Sequence, residues 1–127
     1  MNSDSMRSTL RITKALSDMQ RLRILMMLRA GELCVCQIIA VLGLAPSTVS
    51  KHLSLLSEAD LVISRKEGRW AYYQLPKGTM LKAVKPLLKW LEESLNGDDS
   101  IAKDETKLHA ALNCPPERLS ERQRKKA

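Results

Sequence analysis

The chain has 127 residues, no Phe, and only two Trp and two Tyr, so aliphatic side chains and Met must fill its interior. Long apolar runs are missing as well. A stretch such as Ile24 to Leu28 falls far short of the roughly 20 residues a membrane helix needs, so no bilayer-spanning segment and no membrane partner are expected. The N-terminus carries no apolar signal region before a small-residue cleavage site, which makes the cytoplasm the expected location. Histidine is scarce: only His52 and His109 occur, and neither lies near a Gly-rich phosphate loop. An enzyme built on a nucleophilic cysteine needs a base and an oxyanion pocket, so the chain is not expected to be an enzyme. No organic substrate or organic cofactor is expected either. Three cysteines in a reducing compartment argue against a disulfide scaffold and for thiol chemistry.

Apolar residues make up 44% of the chain, enough for one domain with a modest core and too little length for two ordinary ones. The net charge of +7 favours an anionic partner, nucleic acid first. Part of that charge is local. Between Pro115 and Ala127, Arg118, Arg122, Arg124, Lys125 and Lys126 outweigh Glu117 and Glu121 and carry three of the seven charges. The division expected is a folded domain over residues 1–97 and a flexible extension over 98–127 that holds Cys114 and the basic tail.

The pattern is mainly helical with one small hairpin, an α+β class. Helices are expected over Ser8–Ala15 and from Ser17, where Gln20 completes a capping box, to a stop at Gly31. A third helix opens around Cys34 and Cys36 and ends at Gly43, and Pro46 starts a fourth. Leu61–Arg65 and Trp70–Leu75 read as strands joined by a loop over Lys66–Arg69. A last helix is expected over Thr79–Leu95, either kinked at Pro86 or starting there.

The third and fourth helices have the shape of a helix-turn-helix. At 100° per residue, Val49, Leu53 and Leu56 share one face of the fourth, while Ser47, Lys51 and Ser54 point away, with Thr48 and Ser50 on the flanks. Those five polar residues are the candidates for the major groove of double-stranded operator DNA. His52 sits nearer the apolar face, which suits packing or a phosphate contact. Arg65, Lys66 and Arg69 cluster at a hairpin tip where Gly68 permits the turn, suiting a wing on the adjacent backbone or minor groove.

Cys34 and Cys36 stand at the entrance of this unit, and thiolates bind soft metals and metalloids. In a regular helix residues i and i+2 lie about 200° apart, so gripping one ion should require the first turn to distort or unwind. Binding would then disturb the helix against which the reading helix packs. Two thiolates rarely complete a site. Trivalent arsenic and antimony favour three sulfurs, and Cd, Pb and Zn take three or four ligands, so Cys114 is the remaining candidate. A strained Cys-x-Cys disulfide, giving a redox sensor, is an alternative.

The run Glu32-Leu33-Cys34-Val35-Cys36, the Ser-Thr-Val-Ser-Lys-His-Leu stretch at 47–53 and the hairpin Arg65-Lys66-Glu67-Gly68-Arg69-Trp70 together resemble the ArsR/SmtB family of metal-responsive repressors. Leu22-Arg23-Ile24-Leu25 is similar to that family too, and the resemblance covers roughly residues 10 to 95. It implies a homodimeric winged helix-turn-helix whose first and last helices form the dimer contact, here drawn from Leu10, Leu87, Leu88, Leu91 and Leu95. It also implies repression of a resistance operon, relieved when an inducer binds. Well-known arsenic repressors carry a third cysteine three residues after the second, where this chain has Ile39, so the resemblance leaves the third ligand to Cys114. Cadmium and lead sensors add N-terminal cysteines that are missing here, and zinc sensors use Asp/His ligands on a last helix that has no His. Arsenite or a methylated arsenical is the expected inducer, antimonite a further one. A divalent soft-metal sensor is the alternative within the same fold.

Overall fold

The computed structural model describes residues 3–126. Helix α1 (Ser3–Leu16) begins earlier than its apolar spacing suggests, and α2 spans Met19–Met27. Asp18, rather than Ser17, caps α2: its carboxylate accepts from the N–H of Gln20 at 2.7 Å and of Arg21 at 3.2 Å. A 3-10 turn over Leu28–Ala30 runs into Gly31, whose φ of +118° suits a residue without a Cβ.

A two-residue strand β1 (Leu33–Cys34) leads directly into α3 (Val35–Leu42), which stops at Gly43 in the left-handed conformation. Pro46 opens α4 (Pro46–Glu58), since its fixed φ fits the first turn and its missing N–H would have had no partner there. Strands β2 (Ile63–Glu67) and β3 (Trp70–Gln74) form the hairpin. Strand β1 leaves no pattern in the sequence, because two residues are too few to show alternation. The sheet is antiparallel in the order β1-β3-β2, with Leu33 opposite Tyr73 and Cys34 opposite Tyr72. Helix α5 (Gly78–Ser94) runs through Pro86. Pro86 faces outward, where water can serve the carbonyl left without a donor.

The core joins α2, α3 and α4. Ile24, Leu25, Leu28, Leu33, Ile38, Val41, Val49, Leu53, Leu56 and Leu61 are all fully buried. No aromatic residue is among them, as the composition demands. Arg21 is buried at the junction of α1, α2 and α4, where it donates to Ala15 O at 2.6 Å, Lys14 O at 3.1 Å and His52 Nδ1 at 3.1 Å.

The C-terminal stretch departs from its expected flexibility. It forms α6 (Asp99–Leu112) and α7 (Pro116–Lys126), both packed against α3, with α6 also on α2. The polar composition conceals one apolar face, in which Ile101, Leu108 and Ala111 lie at helical spacing and are buried. Asp104, on the same face, accepts both Nε and Nη2 of Arg23 at 2.8 Å. A buried carboxylate paired this way counts toward the packed face, although it reads as polar in sequence.

Candidate thiol site and DNA-reading face

Cys34 is both the last residue of β1 and the N-cap of α3, with extended φ/ψ of −71° and 145°. Because it has not yet entered the helix, the 200° separation does not apply. Its sulfur lies 3.0 Å from that of Cys36, and both residues are buried. The unwinding expected from regular helix geometry is therefore unnecessary: the cap already pairs the thiols. A capping box holds the arrangement, with the backbone N–H of Cys34 donating to Gln37 Oε1 at 2.8 Å while the Cys34 sulfur faces the N–H of Gln37. Burial, reinforced by the neighbouring Cys34, pushes the Cys36 thiol up to about 12, so the Cys36 sulfur rests protonated in an apolar pocket.

Cys114 occupies the turn between α6 and α7, where it is half-buried and its N–H donates to Ala111 O at 3.1 Å. It does not join the pair: no group of three potential metal ligands is assembled among the described residues. Ile39, three residues after Cys36, is buried.

The candidate reading face of α4 is laid out as the helical angles require. Val49, Leu53 and Leu56 have no exposure, while Ser47, Thr48, Ser50, Lys51 and Ser54 are all exposed along α4. His52 packs inward against Arg21, with Asp18 Oδ1 at 3.9 Å. At the wing, Lys66 and Arg69 are exposed, and the Arg69 guanidinium lies 4.6 Å from the Trp70 ring centre.

Arg65 is engaged elsewhere. It donates through Nε and Nη2 to both oxygens of Glu32, at 2.9 and 2.7 Å, and stacks 4.5 Å above the ring of Tyr72. The Arg65 guanidinium holds the Glu32 carboxyl below its ordinary range. Glu32 lies two residues before Cys34, and Tyr72 is the strand partner of Cys34. The wing and the thiol pair thus share one sheet. Sequence reasoning missed Glu32, because a pair 33 residues apart leaves no local pattern.

Leu10 and the α5 residue Trp90 are 58% and 60% exposed, and Leu87, Leu88 and Leu95 are half-buried. Leu91 is already buried within its own chain. No helix among the described residues is by itself long and apolar enough to cross a membrane.

The model for the bacterial regulatory proteins of the arsR family matches residues 18–64, from the α2 cap to the first wing strand. Over a longer stretch, the chain is 33% identical to the transcriptional repressor SmtB homolog of Synechocystis, covering 74% of this chain and 71% of that one. The chain belongs to the ArsR family. Its relatives include the arsenical resistance operon repressor of Escherichia coli K12, 40% identical over 67 residues, or 52% of this chain and 57% of that one. The chain thus spans little more than half the length of that relative. Among solved structures, the homodimeric winged helix-turn-helix DNA-binding domain Mb0332 of Mycobacterium bovis superposes with a TM-score of 0.62 at 28% identity, covering 76% of this chain and 90% of that domain. These ArsR-family relatives are DNA-binding transcriptional regulators, not enzymes.

Proposed function

We propose that this ArsR-family protein is a cytoplasmic homodimer that represses an arsenic-resistance operon and leaves its operator when trivalent arsenic binds Cys34 and Cys36. The observation that carries this is the buried sulfur pair at 3.0 Å, one sulfur belonging to the wing's sheet and the other to α3. With metal–sulfur bonds of about 2.3 Å, tetrahedral coordination spreads two sulfurs to about 3.8 Å. A pyramidal centre with angles near 90° and similar bonds needs only about 3.3 Å. The resting pair at 3.0 Å is thus closer to the metalloid's requirement than to that of tetrahedral Zn. A protonated Cys36 thiol fits as well. Arsenite is the neutral As(OH)3 at pH 7, and each As–S bond forms as a thiol proton and a hydroxide leave together as water.

Arsenite takes a third thiolate, for which Cys114 of the same chain after rearrangement, or of a second copy, is the proposed donor. A singly methylated arsenical needs only the pair, and antimonite follows the chemistry of arsenite. In DNA binding, Ser47, Thr48, Ser50, Lys51 and Ser54 enter the major groove, Lys66 and Arg69 meet the adjacent backbone, and Arg65 joins them only by leaving Glu32. Leu10, Leu87, Leu88 and Leu95 contribute the dimer seam. Spreading the sulfurs moves β1 relative to α3, and with β1 move Glu32 and the wing strand β3.

The test is fluorescence anisotropy on an operator duplex that the protein selects from a random pool, titrated under anaerobic reducing conditions. Arsenite, methylarsonous acid or antimonite should release the wild type, and Cys34→Ser or Cys36→Ser should bind DNA but ignore the inducer. Release by cadmium or zinc at lower concentration than by any trivalent arsenical overturns the arsenic assignment. Release only after an oxidant is added favours a disulfide switch.

A further inference from the structure

Helix α7 is not used by the site described above, and its side chains are sorted. Leu119 is buried, and Gln123 donates from Nε2 to the carbonyl of Cys36 at 2.8 Å, so positions 119 and 123 fix one side of the helix to α3. At 100° per residue, Arg118, Arg122 and Lys125 fall within about 60° of one another on an adjacent face. All three are exposed. Arg122 also lines, with Leu119 and Gln123, a cavity of about 460 Å³ whose other wall is the turn Gly43–Pro46 that opens α4. A basic run in sequence is thereby held as a ridge beside the entrance of the reading helix.

We propose that this ridge is a second DNA contact, in which Arg118, Arg122 and Lys125 bind phosphates next to the segment that α4 reads. In helix-turn-helix docking the reading helix lays its N-terminal residues on base edges while the preceding helix crosses the backbone. The turn between them stands over a phosphate strand, and Arg122 is beside that turn. The ridge from 118 to 125 is about 10.5 Å long. One strand of duplex presents a phosphate per 3.4 Å of axis, so three cations meet about three phosphates. Glu121 weakens the ridge from within, its carboxylate 3.5 Å from Lys125 Nζ. Arg124 is on the other side, where its Nη1 donates to Ser120 Oγ at 3.2 Å.

The inference rests on DNA binding by the family fold and not on the identity of the inducer. The test is the salt dependence of binding to a mixed-sequence duplex three helical turns long, which needs no knowledge of the operator. The triple variant Arg118→Gln, Arg122→Gln, Lys125→Gln should lower the slope of log K against log salt by about 2.7 per protomer, at about 0.9 per phosphate. Arg124→Gln should leave the slope at the wild-type value, and Glu121→Gln should tighten binding at low salt. Unchanged circular dichroism and melting confirm that the variants fold. A triple variant with the wild-type slope overturns the proposal, as does an Arg124→Gln effect as large as that of Arg122→Gln, which would report net charge alone. If the wild type shows no salt-dependent duplex affinity, DNA binding itself is at fault, and Lys51→Ala separates the cases by weakening α4 whether or not α7 contributes.

Discussion

Asp104→Ala should cost this protein about 3 kcal/mol, the low end of the 3–5 kcal/mol lost when one partner of a buried ion pair is removed. Asp104 is 3% exposed and takes both Nε and Nη2 of Arg23 at 2.8 Å, while the Arg23 side chain is 14% exposed. Alanine strands the guanidinium, which keeps one partner, Gln20 Oε1 at 2.6 Å from Nη1, and that residual bond sets the estimate at the low end. Near 4 °C per kcal/mol for a domain of this size, the melting temperature should fall by about 12 °C. Urea denaturation with an unchanged m-value would locate the loss in global stability, whereas hydrogen exchange confined to α6 would locate it in local undocking. Arg23→Met with Asp104→Leu should recover most of it, since apolar replacement of a buried pair is often neutral or stabilising. A loss below 0.5 kcal/mol by both urea and exchange, the range of an ordinary surface change, would refute the docking of α6 on α2.

Glu32→Gln removes the bidentate acceptor of Arg65 and should raise duplex affinity and steepen the salt slope, measured by anisotropy; unchanged affinity would mean that Arg65 stays off the backbone. The Cys36 thiol is raised in the folded state, so the folded protein keeps a proton that the unfolded chain gives up. Its contribution to stability is complete below the ordinary thiol value near 8.5 and is lost toward about 12, at up to about 1.4 kcal/mol per pH unit. Cys36→Ser should flatten that decline in urea denaturation between pH 8.5 and 10.5. Cys114→Ser should weaken arsenite binding strongly and methylarsonous acid binding little, read by titration calorimetry; equal affinities for both inducers would make the site a two-thiol site.

The local parts of the fold were legible because their signals are local. Gly31, Gly43 and Pro46 mark helix ends through backbone conformation alone, and Val49, Leu53 and Leu56 show the inner face of α4 by spacing. What stayed hidden depends on partners distant in sequence. Asp104 reads as a solvated charge until Arg23, 81 residues away, is beside it, and with it the docking of α6. Glu32 and Arg65 are likewise 33 residues apart. The thiol pair was legible as chemistry but not as geometry, because the angle between i and i+2 assumes both residues are helical, and Cys34 is the cap.

The position of Cys34 gives the proposed thiol site a structural role as well. A cap residue belongs to two elements at once, and here those are a strand of the wing's sheet and the helix on which the reading unit is built. A ligand that fixes the distance between the sulfurs therefore fixes β1 against α3. The sheet carries Tyr72 and Arg65, and the Cys36 carbonyl carries the α7 contact through Gln123. A change of a few tenths of an ångström at the sulfurs thus acts at the junction of the wing, the reading helix and the basic ridge, within a core too closely packed to absorb it. Moving these two cysteines one residue into α3 would keep the sulfurs but remove the strand from the linkage. In the proposed function, the placement of the pair, as much as its chemistry toward a soft centre, is what would carry binding to the DNA face.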